Sequence, residues 1–175
     1  MLLMYSQQIG HRGRGVGVQI KPADLILVRG DGLLANTIEV VTHSLYSHVA
    51  GLAKPNELIE AQGFRKTGYQ GLDYYAGSTD VYTCDELTDE QRMQIVDNVE
   101  NYIGRRYSYL LIVWEFLRYT IGLSLAPLKD WQPVICSTLW VNAYRAVGID
   151  LCPGIRFPTP GDIANSQLLR KVGSV

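Results

Sequence analysis

The apolar positions of this chain fall into short runs separated by glycine, proline and polar clusters. Pro22, Ala23 and Asp24 lead into the unbroken run Leu25-Ile26-Leu27-Val28, which ends at Arg29 and Gly30 and predicts a short buried strand. Past Asp31 and Gly32, Leu34, Ile38 and Val41 recur at helical spacing. From Thr42 to Ala61 the sequence reads THSLYSHVAGLAKPNELIEA. One apolar run there opens at His48 and a second extends from Glu57 to Ala61. The turn-like Lys54-Pro55-Asn56 between them gives the pattern of a β-hairpin. After a polar, glycine-rich connection, Asp80 to Cys84 alternates and predicts another strand. Thr88 then opens a helix: Thr88 with Gln91 makes a capping box, Met93, Val96 and Ile103 supply an apolar face, and Gly104 is the stop. A further helix is predicted from Cys136 to Gly148, beginning soon after Pro133, and a short one past Pro160.

Two stretches depart from this pattern. Residues 1–20 are polar and carry Gly10, Gly13, Gly15 and Gly17, which predicts a flexible segment with at most a short edge strand at Gly17 to Ile20. No apolar strand precedes these glycines and no helix signal follows, so they do not form a phosphate loop. Tyr109 to Leu128, in contrast, is apolar over about the length of a membrane span. Glu115 and Arg118 lie near its centre, where charge is costly in lipid. A helix packed on the core or over a site is predicted, with a membrane-surface role as the alternative. The expected fold is α+β, a small antiparallel sheet packed against the helix that starts at Cys136. Residues 21–175 are expected to form one domain, with no internal repeat and no linker to divide them.

Composition narrows the function. A chain of 175 residues with 47% hydrophobic content is enough for one sizeable core. The net charge of −1, with a single short basic cluster around Arg12 and Arg14, excludes nucleic acid as the expected partner. Three cysteines, Cys84, Cys136 and Cys152, argue against a disulfide framework and for a reducing compartment. The opening MLLMYSQQIG lacks a long apolar core and has no basic residue before it, so it does not read as a signal peptide. A cytoplasmic location is the expectation.

The candidate chemistry begins with Glu60. An acidic residue inside an apolar strand needs a partner, and His48 is the one the hairpin offers. With a loop at Ala53 to Pro55, His48 faces Glu60 directly. With a loop at Lys54 to Asn56, it lies one diagonal step away on the same face. A two-residue loop would place the two on opposite faces. Cys136 begins a helix, a position that favours a thiolate. His48 could pair with that thiolate and later protonate a leaving amine, Glu60 could fix the imidazole tautomer, and the Cys136 backbone N–H could stabilise an oxyanion. Together these parts make a papain-like acyl-transfer site. The other readings are plain ones. A cysteine before a helix can be a small buried hydrophobe. His43 competes as the base but ends a helix, where a structural role suits it. His43, His48, Glu60 and Cys136 are chemically suited to zinc, but no C-x-x-C or H-x-x-x-H pair anchors a site, and neither metal nor cofactor is expected. Cys84 and Cys152 read as structural, His11 and Glu57 as solvated, and Tyr46 either lines the cleft or packs. An apolar helix beside such a site suggests a cleft for an acyl chain or bulky apolar side chain.

The run HSLYSHVAG, the glutamate of IEA twelve residues past His48, and CSTLWVNAY resemble the circularly permuted NlpC-type cysteine hydrolases, the YiiX-like group, over about residues 22 to 166. In that group the histidine strand precedes the cysteine helix, as here. The resemblance implies a papain-like fold with Cys136 as nucleophile, His48 as base and Glu60 as third member. Tyr107, in GRRYSY, resembles the tyrosine that assists the oxyanion site. The implied activity is hydrolysis of an amide bond in a small peptide or N-acyl amide. A lipid acyl hydrolase or acyltransferase with the same triad is the first alternative, and a binding module with a decayed site the second.

Overall fold

In a computed structural model, the structure describes residues 7–9, 18–30, 44–61, 66–105 and 136–175. Its centre is a six-stranded sheet built from β3 (Leu25–Arg29), β4 (Tyr46–Lys54), β5 (Glu57–Glu60), β6 (Gly68–Gly71), β7 (Thr79–Thr83) and β8 (Arg170–Ser174), in the order β6-β5-β4-β3-β7-β8. Every neighbouring pair is antiparallel. A separate ladder joins β1 (Gln7–Ile9) to β2 (Val18–Ile20). The helices are α1 (Asp89–Glu100), α2 (Cys136–Ala146) and the short α3 (Pro160–Ala164). A 3-10 turn at Leu72–Tyr75 follows β6.

The sheet is buried on both faces, which is why Leu25-Ile26-Leu27 is apolar without alternation. Leu25 and Leu27 join a core with Trp140, Tyr144, Ile95, Val99 and Ile163 from the three helices. Ile26 points the other way, into a smaller cluster with Ala50, Leu52, Leu58, Val81, Ile20 and Val175. Sheet and α2 meet closely at Gly51. A Cβ on that glycine would stand 2.4 Å from the Trp140 ring, and the Trp140 Nε1–H donates to the Ile59 carbonyl at 3.2 Å. The glycine of SHVAG is therefore the socket for the tryptophan of CSTLW.

The capping box of Thr88 and Gln91 forms as the sequence predicts, but the inward face of α1 is different. Met93 and Ile103 are exposed, and the buried residues are Arg92, Ile95, Val96 and Val99. Arg92 turns the helix: its guanidinium donates to the Asp24 carboxylate at 2.7 Å, the Cys84 carbonyl at 2.7 Å and the Pro22 carbonyl at 2.9 Å. A buried guanidinium this well paired outweighs the apolar spacing that favours Met93. Strands β1, β6 and β8 have no counterpart in the hydrophobic pattern, and β1 lies in the stretch whose sequence predicts a flexible segment. Among the described residues, no helix is long and apolar enough to cross a membrane. The predicted helix at 33–43, the apolar stretch 109–128, and with them His11, His43 and Tyr107, lie outside the described residues.

Candidate active site

The hairpin places His48 against Glu60 by a route the loop length alone does not predict. Only Pro55 and Asn56 separate β4 from β5, with Lys54 opposite Glu57. Asn56 takes a left-handed φ of 56°, the conformation that a type II turn with proline at its first central position needs at its second. A two-residue loop should send His48 and Glu60 to opposite faces. The register slips by one residue between Leu52 and Lys54, so Ala53 is the extra residue of a bulge, and Leu52 pairs with Leu58, Gly51 with Ile59 and Ala50 with Glu60. Parity is restored, and His48 stands one diagonal step from Glu60. Its Nε2 meets Glu60 Oε2 at 2.8 Å. The Glu60 side chain is 5% exposed and that of His48 17%. Glu57, by contrast, is exposed.

The start of α2 reaches the same point. Cys136 is the first residue of the helix and is buried. With His48 Nε2 turned to Glu60, Nδ1 is the ring nitrogen left for the sulfur. Burial disfavours the imidazolium of His48, yet the Cys136 thiolate beside it and the hydrogen bonds to Cys136 and Glu60 outweigh burial and raise its pKa to about 10. Burial likewise raises the Cys136 thiol, but the His48 charge and hydrogen bond, with the backbone N–H groups of Val49 and Ser137, bring the net shift below the ordinary thiol value. The other cysteines go the opposite way. Cys84 is pushed up by burial, and Cys152 is pushed up to about 11 by burial and the Asp162 charge. All three are free.

Tyr46 does not line this site. It is buried in the larger core, where its hydroxyl donates to Asp80 Oδ2 at 2.6 Å and lies 3.0 Å from the Tyr82 hydroxyl. Asp80, itself buried, also accepts from Ser174 at 2.6 Å and pairs with Lys171 at 2.8 Å and with Arg29. The group ties β3, β4, β7 and β8 together, and Tyr46 is its β4 member. One residue that sequence reasoning passes over does belong to the site. Tyr75, at the end of the 3-10 turn, donates its hydroxyl to Glu60 Oε2 at 2.5 Å. No spacing rule connects Tyr75 with Glu60, since their meeting depends on how the chain returns after β6.

An antiparallel α+β sheet with a cysteine at a helix start beside a histidine–carboxylate pair is the class that the fold and site define. Neither a protein-family model nor a curated protein matches the chain. Among solved structures, the fold is similar to that of a protein described as metalloprotein yiiX from Escherichia coli O157:H7. The TM-score is 0.64 at 16% identity, over 89% of this chain and 98% of that one. The chain has a YiiX-like fold.

Proposed function

We propose that this protein is a cysteine hydrolase of the circularly permuted, papain-like NlpC type that cleaves the amide bond of a small peptide or N-acyl amide. The observation that carries the reading is the difference among the cysteines: Cys136 alone has its thiol pKa lowered, and among the described residues it alone faces a histidine held by a buried carboxylate. The Cys136 thiolate attacks the substrate carbonyl carbon, and the carbonyl electron pair moves to oxygen, where the Cys136 backbone N–H can stabilise it. His48 gives its proton to the leaving nitrogen as the C–N bond breaks, which leaves a thioester and a neutral imidazole. The imidazole then takes a proton from water as the water oxygen attacks the thioester carbon. The C–S bond breaks, the acid product departs, and the thiolate–imidazolium pair is restored. Glu60 holds Nε2 throughout and transfers no proton.

The structural neighbour is described as a metalloprotein. Among the described residues of this chain, no three His, Cys, Asp or Glu side chains gather to hold an ion.

The test is iodoacetamide labelling of each cysteine against pH, read by mass spectrometry, in wild type and His48→Ala. Cys136 alone should label well below the ordinary thiol pKa of about 8.5, and should slow when His48 is removed. Labelling of Cys136 no faster than that of Cys84 and Cys152 in both proteins would overturn the reading in favour of a binding module without catalysis.

A further inference from the structure

We infer that Tyr75 is a positioning residue for the candidate site, holding Glu60 in the orientation that keeps His48 paired with Cys136. The inference rests on the proposed cysteine–histidine–glutamate reading and adds a fourth member to it.

Two donors meet on one oxygen. Glu60 Oε2 accepts from His48 Nε2 at 2.8 Å and from the Tyr75 hydroxyl at 2.5 Å. A glutamate side chain has several rotatable bonds, and one hydrogen bond from a ring that can itself turn does not fix it. A second donor from a different element does, provided that donor is itself held. The turn that carries Tyr75 is anchored at both ends. The Leu72 N–H donates to the Asn56 carbonyl at 2.9 Å, which ties the turn to the tip of the β4–β5 hairpin, and just past the turn the Gly77 N–H donates to the Val175 carbonyl at 2.9 Å. Leu72 is buried in the smaller cluster, and Tyr75 packs against the same cluster. The Tyr75 ring is set between two others: Tyr74 meets it edge-on with centroids 4.8 Å apart, and the His48 imidazole lies 6.0 Å away. The hydroxyl therefore approaches Glu60 from a fixed direction.

The consequence passes through three groups. While Tyr75 holds Oε2 toward the ring, Nε2 keeps its proton, the imidazolium keeps its counter-charge, and Nδ1 stays toward Cys136. Without the hydroxyl, the carboxylate is free to turn away. The imidazolium then loses support, and the thiolate that depends on the imidazolium is disfavoured. The titratable groups that meet here, among the described residues, are His48 from β4, Glu60 from β5, Tyr75 from the 3-10 turn and Cys136 from α2.

Tyr75→Phe removes the hydroxyl and keeps the ring. The measurement is the ultraviolet absorbance of the thiolate against pH, taken as the difference between each protein and the same protein carrying Cys136→Ala. It requires no reagent to enter the site. In Tyr75→Phe, thiolate formation should move to higher pH, with roughly three- to tenfold less thiolate at a fixed pH on the acid limb. Cys84 and Cys152 should stay protected from iodoacetamide, as in wild type, because the core is untouched. A profile that coincides with wild type, while His48→Ala moves it, would overturn the role of Tyr75 and leave the Cys136–His48 pair standing. A wild-type profile already at the ordinary thiol position, unmoved by His48→Ala, would remove the pair and the role of Tyr75 with it.

Discussion

At the residue scale, His48 and Cys136 stabilise each other's charged form against burial that disfavours both. The proposed chemistry needs thiolate and imidazolium together. Its acid limb should follow ionisation of Cys136, displaced below the ordinary thiol range, and its alkaline limb should follow loss of the His48 proton near 10. A kcat/KM profile that is broad and flat through neutral pH is the expected outcome, measured on any amide substrate the protein accepts. His48→Ala should lower kcat/KM by roughly 10²- to 10⁴-fold. Glu60→Gln should lower it less, because the glutamate orients the base and does not carry the proton. Legibility at this scale was uneven. Cys136, His48 and Glu60 could be named from the sequence because each is chemically out of place in its run: a carboxylate and an imidazole in apolar strands, and a thiol at a helix start. Tyr46 and Tyr75 could not be told apart in that way. Both are tyrosines in polar surroundings, and only the folded chain sends one hydroxyl to Asp80 and the other to Glu60.

At the element scale, the hairpin and α2 interlock through a missing side chain. Gly51→Ala should force its methyl into the Trp140 ring, where the separation is 2.4 Å and the obstacle is a fully buried indole rather than a flexible chain end. The expected cost is about 1–3 kcal/mol, read as a lowered denaturation midpoint with an unchanged slope. The labelling advantage of Cys136 should fall as well, because the displaced helix carries the cysteine. Elements with a buried face were legible: β3, β4, β5, β7, the cap of α1 and the start of α2 all follow from apolar runs or capping residues. Within the six-stranded sheet, the strands that escaped, β6 and β8, are its two edges. Their residues are largely exposed or only partly buried, so no apolar alternation marks them, and their pairing is decided by what their neighbours offer. The bulge at Ala53 belongs with them, since a local pattern does not announce an extra residue.

At the scale of the whole molecule, a buried ion pair holds α1 to the sheet. Arg92 and Asp24 have side chains only 4% and 1% exposed, and Thr83 completes the group by donating to the same Asp24 oxygen at 2.6 Å. Arg92→Met should leave Asp24 buried beside no cation, at a cost of about 3–5 kcal/mol in a denaturant titration. A loss below about 1 kcal/mol would mean that water or another group reaches Asp24. The sequence by itself determined an α+β chain with a central apolar strand, a histidine–glutamate hairpin and a cysteine opening a helix. These are local facts, carried by periodicity, capping and residues whose chemistry does not match their run. Only the tertiary structure decided the register that puts His48 and Glu60 on one face, the inward turn of Arg92, the burial of Tyr46 and the arrival of Tyr75 at Glu60. Each of these depends on contacts between segments distant in the chain or on a single inserted residue, and neither leaves a period in the sequence.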